Sequence, residues 1–170
     1  MPNVILCNDE GKPLGETSVE DAHSGEGKRH LAFVLIIEKD NKILVQKRAK
    51  NKRFPGYWEL PASHLFVGET WQEALKRTLK RELGIDGVNE FQKLFHFTYK
   101  FKGEREQDVE NEFCVVFKCK YEGEIKLNKE EAEEYRFLYL DEIEKSLVNE
   151  KISPWLKIPL DILRKKNLIS

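Results

Sequence analysis

The segment TWQEALKRTLKRELG, residues 70–84, constrains the fold most, because it carries both a start signal and a stop signal for a helix. Thr70 and Glu73 have the spacing of a capping box, and Gly84 is typical of the residue that ends a helix. The predicted buried face recurs at three- and four-residue steps and consists of Trp71, Leu75, Thr78 and Leu79. The segment therefore predicts an amphipathic helix packed on an apolar surface.

Apolar and β-branched runs surround this helix and predict strands. HLAFVLIIEKD and KILVQKRA, joined by the turn DN, predict a hairpin. Further strands are predicted in NVILCND, FPGYWELPA, FQKLFHFTYKF, NEFCVVFKCKYEGEI and YRFLYL. DEIEKSLVNE and SPWLKIPLDILRKKN predict helices, the second with Ser153 as N-cap and Pro154 at its first position. Strands grouped around one long helix predict a single α/β domain over residues 1–170, with a mixed sheet sandwiched between helices.

Composition narrows the classes of function. A net charge of −1 argues against a general nucleic-acid or membrane-surface binder, although a local basic cluster would still suit a small anion. The three cysteines lack the spacing of a metal site and are expected to be reduced core residues. With no long apolar run and no signal-peptide pattern, the protein is expected to be cytoplasmic.

Glu82 continues the buried stripe of the central helix. A carboxylate on a buried face needs a partner. From the residues alone, this partner is either a neighbouring lysine or arginine or a metal ion.

At this point the chain resembles the Nudix superfamily. WELP followed by GETWQEALKRTLKRELGI is similar to the Nudix box, G-x5-E-x7-R-E-U-x-E-E-x-G-U, in which U is a bulky aliphatic residue. Glu69, Arg77 and Glu82 match the box. Ser63, Thr78 and Arg81 depart from it, so two of the three helix glutamates that gather metal ions in hydrolases of the family are absent.

Within this superfamily, the chain resembles the type I isopentenyl diphosphate isomerases along almost its whole length. His23 and His30 in HSGEGKRHLAF, His64, and Glu110 and Glu112 in VENEFC match the metal ligands of that family. The two glutamates stand two apart on a predicted strand and thus share a face. The resemblance implies an octahedral site for Mn²⁺, Zn²⁺ or Mg²⁺.

The same resemblance implies the reacting groups. Glu112, helped by Tyr99, matches the acid that protonates the alkene, whereas Ala62 replaces the cysteine that serves as base. Arg48 and Lys52 match residues that bind the diphosphate group of the substrate, and Glu82 matches the ligand of a second Mg²⁺ ion bound with the substrate. Trp155 matches a tryptophan that packs over the hydrocarbon part of the substrate. At two further positions where the family has a basic residue, this chain has Val19 and Thr78. Lys50, Arg53 and Arg77 are the candidates to supply the missing positive charge.

Three functions remain open on the sequence. The first is a metal-dependent, isopentenyl diphosphate isomerase-like enzyme acting on a small prenyl diphosphate, impaired by loss of the cysteine. The second is a Nudix hydrolase of a prenyl or nucleoside diphosphate, which the short WELP loop favours. The third is a non-catalytic binding module that keeps the metal. The sequence leaves open whether the protein is a monomer or a homodimer.

Overall fold

The computed structural model of the chain describes residues 1–166. One mixed sheet carries helices on both faces, and this confirms the predicted α/β fold. In chain order the elements are β1 (Val4–Cys7), β2 (Pro13–Thr17), α1 (Val19–Ala22), β3 (His30–Lys39), β4 (Lys42–Arg48), β5 (Trp58–Glu59), β6 (Ala62–His64), α2 (Trp71–Leu83), β7 (Gln92–Lys102), β8 (Val109–Lys120), β9 (Ala132–Leu138), a 3₁₀ turn (Leu140–Glu142), α3 (Ile143–Ser146) and α4 (Pro154–Lys166).

Strand β3 organises the sheet. It pairs in parallel with β8, so that His30 lies opposite Glu112, and antiparallel with β1, β4 and β6. The β6 pairing places His64 opposite Ala32. Histidines from β3 and β6 and a glutamate from β8 therefore meet at one end of the sheet.

Strand β3 is apolar because both of its faces are buried beneath other elements of the fold. Alternate side chains of a strand point to opposite faces. Phe33, Leu35 and Ile37 belong to the core cluster that contains the buried face of α2. Val34 and Ile36 belong to the cluster that contains the buried face of α4. Because neither face meets water, the strand is apolar almost throughout.

The local signals around α2 and the β3–β4 turn are confirmed. Thr70 and Glu73 form the reciprocal hydrogen bonds of a capping box, and Gly84 ends α2 in the left-handed conformation. Asp40 and Asn41 connect β3 to β4 with positive φ angles of 51° and 63°. Two positive φ values match the turn that suits the twist of a two-residue hairpin.

Other predictions need correction. The segment DEIEKSLVNE forms only the short 3₁₀ turn and the four-residue α3, because Ile143 and Leu147 alone reach the core and Asn149 adopts a left-handed φ of 69°. Helix α4 begins at Pro154 as predicted, but the Ser153 hydroxyl is buried and accepts no bond from the described residues. Strand β2 and helix α1 were not predicted. No helix within residues 1–166 combines the length and the apolar character needed to span a membrane.

Candidate active site

Five of the predicted metal ligands converge on one buried point. His23 follows α1, His30 begins β3, His64 ends β6, and Glu110 and Glu112 lie on β8. One ligand atom from each of these residues lies within 4.8 Å of every other. The centroids of the three imidazole rings are 5.0–5.1 Å apart in each pair.

Backbone contacts aim two of the imidazoles into this cluster. His23 Nδ1 lies 2.6 Å from the Val19 carbonyl oxygen, and His30 Nδ1 lies 2.8 Å from that of Lys28. Each Nδ1 is thereby the donor, which leaves the Nε2 lone pair to face the cluster. His23 Nε2 is 2.9 Å from Glu110 Oε1, and His30 Nε2 is 3.4 Å from Glu112 Oε2.

The donor set fits a divalent ion. The Nε2 atoms of His23 and His30 and the Oε1 atom of Glu110 are buried without a hydrogen-bond partner among the described residues. Buried polar atoms are normally satisfied, so these three atoms are available as ligands to an ion. Imidazole nitrogens combined with carboxylate oxygens suit Zn²⁺ or Mn²⁺.

The electrostatics of the cluster differ among its residues. Burial and Glu110 raise the pKa of Glu112. Burial opposes protonation of His30, but Glu112 outweighs burial and raises the pKa of that imidazole. The pKa values of Glu110 and His64, by contrast, shift toward the forms that bind metal. Burial raises the pKa of Glu110, but the surrounding imidazoles outweigh burial and hold that pKa below its usual value. Burial and the neighbouring His30 lower the pKa of His64 well below its usual value. An ionised carboxylate and a neutral imidazole are the states in which these side chains coordinate metals.

Tyr99 connects this cluster to a cavity. Its hydroxyl donates a 2.7 Å hydrogen bond to Glu112 Oε1, and burial together with Glu112 raises the pKa of Tyr99 well above its usual value. The phenol therefore stays protonated at neutral pH and acts as a hydrogen-bond donor to Glu112. Tyr99, Glu112, Ala62 and Trp155 line the same cavity.

The cavity wall at Ala62 lacks a proton-transfer group in its side chain. A methyl group neither accepts nor donates a proton. Cys114 is fully buried on β8, where burial and Glu112 raise the pKa of its thiol well above the usual value. Cys7 and Cys119 are also buried, and neither lines the cavity.

The predicted substrate-binding residues line the cavity but already have acidic partners. Arg48 Nη1 is 2.7 Å from Glu59 Oε1, and Lys52 Nζ is 2.7 Å from Glu131 Oε2. The indole N–H of Trp155 donates a 2.9 Å bond to the same Glu59 oxygen. The Trp155 ring lies 6.0 Å from that of Tyr99, so the two aromatic side chains form one wall.

Comparison with known proteins identifies the family. The NUDIX domain model matches residues 28–156. The chain belongs to the Nudix family. "Isopentenyl-diphosphate Delta-isomerase" of Salmonella heidelberg (strain SL476) is 31% identical over 159 residues, which cover 91% of this chain and 87% of that protein. The protein of the same name from Salmonella agona (strain SL483) has the same identity and coverage.

Solved structures support the Nudix fold. The crystal structure of DR0079 from Deinococcus radiodurans superposes with a TM-score of 0.72 at 16% identity and covers 96% of this chain and 98% of its own. The MutT protein from Methanosarcina mazei Go1 has a TM-score of 0.67 at 18% identity and covers 82% of this chain and 95% of its own. At these identities the likeness concerns the fold.

In this Nudix protein, Glu82 of α2 lies outside the histidine cluster and has polar partners of its own. The side-chain amide of Gln46 donates to Glu82 at 2.8 Å and to Glu59 at 2.9 Å. Burial and Glu59 raise the pKa of Glu82 from 4.5 to about 7. The Gln46 carbonyl oxygen is buried without a partner in the described chain. Two carboxylates and an amide oxygen are the hard ligands that Mg²⁺ prefers.

The retained Nudix-box pair supports His64 from outside the cluster. Arg77 forms bonds of 2.7 Å and 2.9 Å to Glu69, and its Nη2 donates to the His64 carbonyl oxygen at 2.9 Å. Glu69 in turn accepts a 3.0 Å bond from the Phe66 backbone N–H. Arg77 does not line the cavity, so its contacts fix the backbone of β6 rather than meet a ligand.

Sequence reasoning missed Gln46 and Glu59. Both are buried and hydrogen-bonded beside the predicted substrate residues. A signal for Gln46 was present, since it interrupts the apolar run of KILVQKR, and polar residues in buried strands usually have a designated partner. Glu59 lies in a two-residue strand, too short for any periodicity to show its side-chain direction.

Proposed function

We propose that this Nudix protein is a metal-dependent enzyme with isopentenyl diphosphate isomerase-type proton chemistry, acting on a small prenyl diphosphate at a rate limited by the loss of the cysteine. The observation that carries this proposal is the hydrogen bond between Tyr99 and Glu112 at the edge of the His₃Glu₂ cluster. This bond connects the carboxyl group of Glu112, which belongs to the cluster, with the cavity lined by Tyr99 and Trp155. The two Salmonella relatives named "Isopentenyl-diphosphate Delta-isomerase" support the choice of substrate.

The proposed metal ligands are His23, His30, His64, Glu110 and Glu112. A divalent ion held there would offset the charge of the two buried carboxylates and fix the orientation of Glu112. A second ion, Mg²⁺ carried with the substrate, would meet Glu82. Arg48 and Lys52 would contact the diphosphate after exchanging their acidic partners Glu59 and Glu131 for it.

In the proposed reaction, Glu112 gives a proton to the terminal CH₂ carbon of the alkene, and the Tyr99 hydroxyl stabilises the carboxylate that remains. The positive charge then resides on the tertiary carbon, where the Trp155 ring can stabilise it through its π face. Loss of a proton from the neighbouring CH₂ group re-forms the double bond. Since Ala62 cannot accept that proton, we propose that water does, and that solvent returns a proton to Glu112.

The test is restoration of the base. We expect Ala62→Cys to raise the rate of dimethylallyl diphosphate formation by about 10²-fold or more, because a positioned general base contributes about 10²–10⁴ to a rate. Ala62→Ser is the matched control, since a hydroxyl of similar size is a far weaker base and should leave the rate near that of the wild type. Carbon NMR of labelled isopentenyl diphosphate measures both rates. Equal rates for all three proteins would contradict the proposal.

A second candidate, diphosphate hydrolysis, is favoured by the Glu82–Gln46–Glu59 network. These oxygen groups lie on the Nudix helix and on the strands beside it, where Mg²⁺ and an attacking water would be held. If hydrolysis is the activity, phosphorus NMR will show phosphate release with an intact alkene, and Glu82→Gln will abolish it. Release that is unchanged in Glu82→Gln would exclude this candidate. If neither dimethylallyl diphosphate nor phosphate forms from a prenyl or a nucleoside diphosphate, the non-catalytic binding module is the remaining function.

A further inference from the structure

The basic side chains that line the cavity differ in whether they are available to a ligand. They are Arg48, Lys52, Arg53 and Arg81. Arg48 is paired with Glu59 at 2.7 Å and Lys52 with Glu131 at 2.7 Å, while Arg81 lies 3.4 Å from Glu82 and 3.6 Å from Glu131. An anion that binds to any of these three competes with a carboxylate.

Arg53 is different. Within residues 1–166 its side chain has no carboxylate within ion-pairing distance and no hydrogen-bond partner, and its Nε is buried. Burial lowers the pKa of Arg53 even though Glu110 acts in the opposite direction. A guanidinium carries five N–H donors and stays charged. Because a buried N–H donor is normally paired, the Nε of Arg53 calls for a hydrogen-bond acceptor supplied by a ligand.

The backbone around Arg53 is held in an unusual conformation. Phe54, the next residue, is fully buried at a left-handed φ of 52°, which is uncommon for a bulky residue. Its N–H donates at 2.9 Å to Asp108, which is 2% exposed. Arg105 bonds Asp108 at 2.9 Å and the Lys52 carbonyl oxygen at 2.8 Å. This clamp fixes the loop on both sides of Arg53.

The position of Arg53 is suited to the polar end of a ligand. Arg53 lines both the inner cavity and the surface groove outside it. By contrast, Val19 at the same mouth is aliphatic, and the Thr78 hydroxyl is bonded to the Ala74 carbonyl oxygen of its own helix at 3.0 Å. Neither of these residues offers a positive charge.

We infer that Arg53, presented by the Asp108–Arg105 clamp, is the principal anion-binding residue of this site and contacts the diphosphate group at the mouth of the cavity. This inference rests on the proposed function for the identity of the anion. It also selects among the three candidates of the sequence, because Lys50 lies outside the cavity lining and Arg77 is bound to Glu69.

The test is the affinity of the metal-loaded full-length protein for inorganic diphosphate, measured by calorimetry in the presence of Mg²⁺. We expect Arg53→Met to weaken binding by about 10- to 100-fold, as loss of a bidentate, charge-assisted contact does. Arg53→Lys should recover part of the loss, and Lys50→Met, an exposed change in the same loop, should bind as the wild type does. The thermal midpoint of Arg53→Met should not fall, since Arg53 makes no polar side-chain contact in the described chain to lose.

Equal affinities of the wild type and Arg53→Met, or a wild type that binds no diphosphate, would overturn the inference. The proposed function fails by a different result, namely no conversion of isopentenyl diphosphate. Arg53-dependent binding of diphosphate without that conversion would support the anion site and assign it to another diphosphate.

Discussion

Removing one imidazole from the His₃Glu₂ cluster should abolish most of the stabilisation that a divalent ion gives the protein. The ligands come from the residue that follows α1 and from β3, β6 and β8, so a bound ion joins four parts of the fold. His64→Asn removes one ligand and leaves the other four. His96→Asn is the matched control, because His96 is exposed, stacks on Phe113 at 4.6 Å and lies outside the cluster.

The magnitude follows from mass action. An ion present at about 100 times its dissociation constant stabilises the folded state by about 2.7 kcal/mol. For a chain of this size each kcal/mol shifts the thermal midpoint by about 2–4 °C. We therefore expect Mn²⁺ or Zn²⁺ to raise the midpoint of EDTA-treated wild-type protein and of His96→Asn by about 5–10 °C.

Circular dichroism melts before and after addition of the metal measure the shift, and each variant is compared with its own metal-free form. His64→Asn should show less than half of the wild-type shift. A wild type that does not respond to metal, or a His64→Asn protein that responds as strongly as the wild type, would refute the assignment of the cluster as a metal site.

Two further predictions concern the Nudix helix. Arg77→Met should weaken metal binding about 10-fold, as loss of an outer-shell contact does, because the bond to the His64 carbonyl oxygen is removed. Calorimetric titration with Mn²⁺ measures the affinity, and Lys76→Met is the exposed control. Equal affinities of Arg77→Met and Lys76→Met would contradict the prediction. We expect the stability advantage of Glu82→Gln over the wild type, both metal-free, to be about 1–3 kcal/mol larger at about pH 8 than at about pH 4.5. The pKa of Glu82 in the folded protein, about 7, lies above the usual 4.5, so ionisation of Glu82 in the wild type opposes folding as the pH rises between these values. Urea unfolding of both proteins at both pH values tests this, and a stability difference that does not change with pH would contradict it.

The parts of the fold that local chemistry specifies could be predicted from the sequence. The capping box at Thr70 and Glu73, the glycine stop at Gly84 and the DN hairpin each depend on neighbouring residues only. The short α3 was overestimated, since charged residues favour a helix locally while only two side chains reach the core to hold it. Strand β2 was missed because it is a largely exposed edge whose PLGET sequence has no apolar alternation.

The candidate site divides in the same way. The histidine and glutamate positions followed from resemblance to the isomerases, and the structure brings all five together. The ion pairs of Arg48 and Lys52 depend on Glu59 and Glu131. The position of Arg53, which has no side-chain partner within residues 1–166, depends on the Asp108 clamp. Such long-range partners leave no periodic pattern in the sequence. The same limit hid the contact of Arg77 with His64.

Proton transfer to and from carbon is tested most directly by incubating wild-type protein, divalent metal and isopentenyl diphosphate in D₂O. Proton and deuterium NMR then report where solvent hydrogen enters. We expect slow formation of dimethylallyl diphosphate with deuterium in a methyl group, because Glu112 would deliver a solvent-derived deuteron to the terminal carbon. Phosphate release with an undeuterated, intact alkene would contradict the account, as would recovery of unchanged substrate from protein that binds the metal.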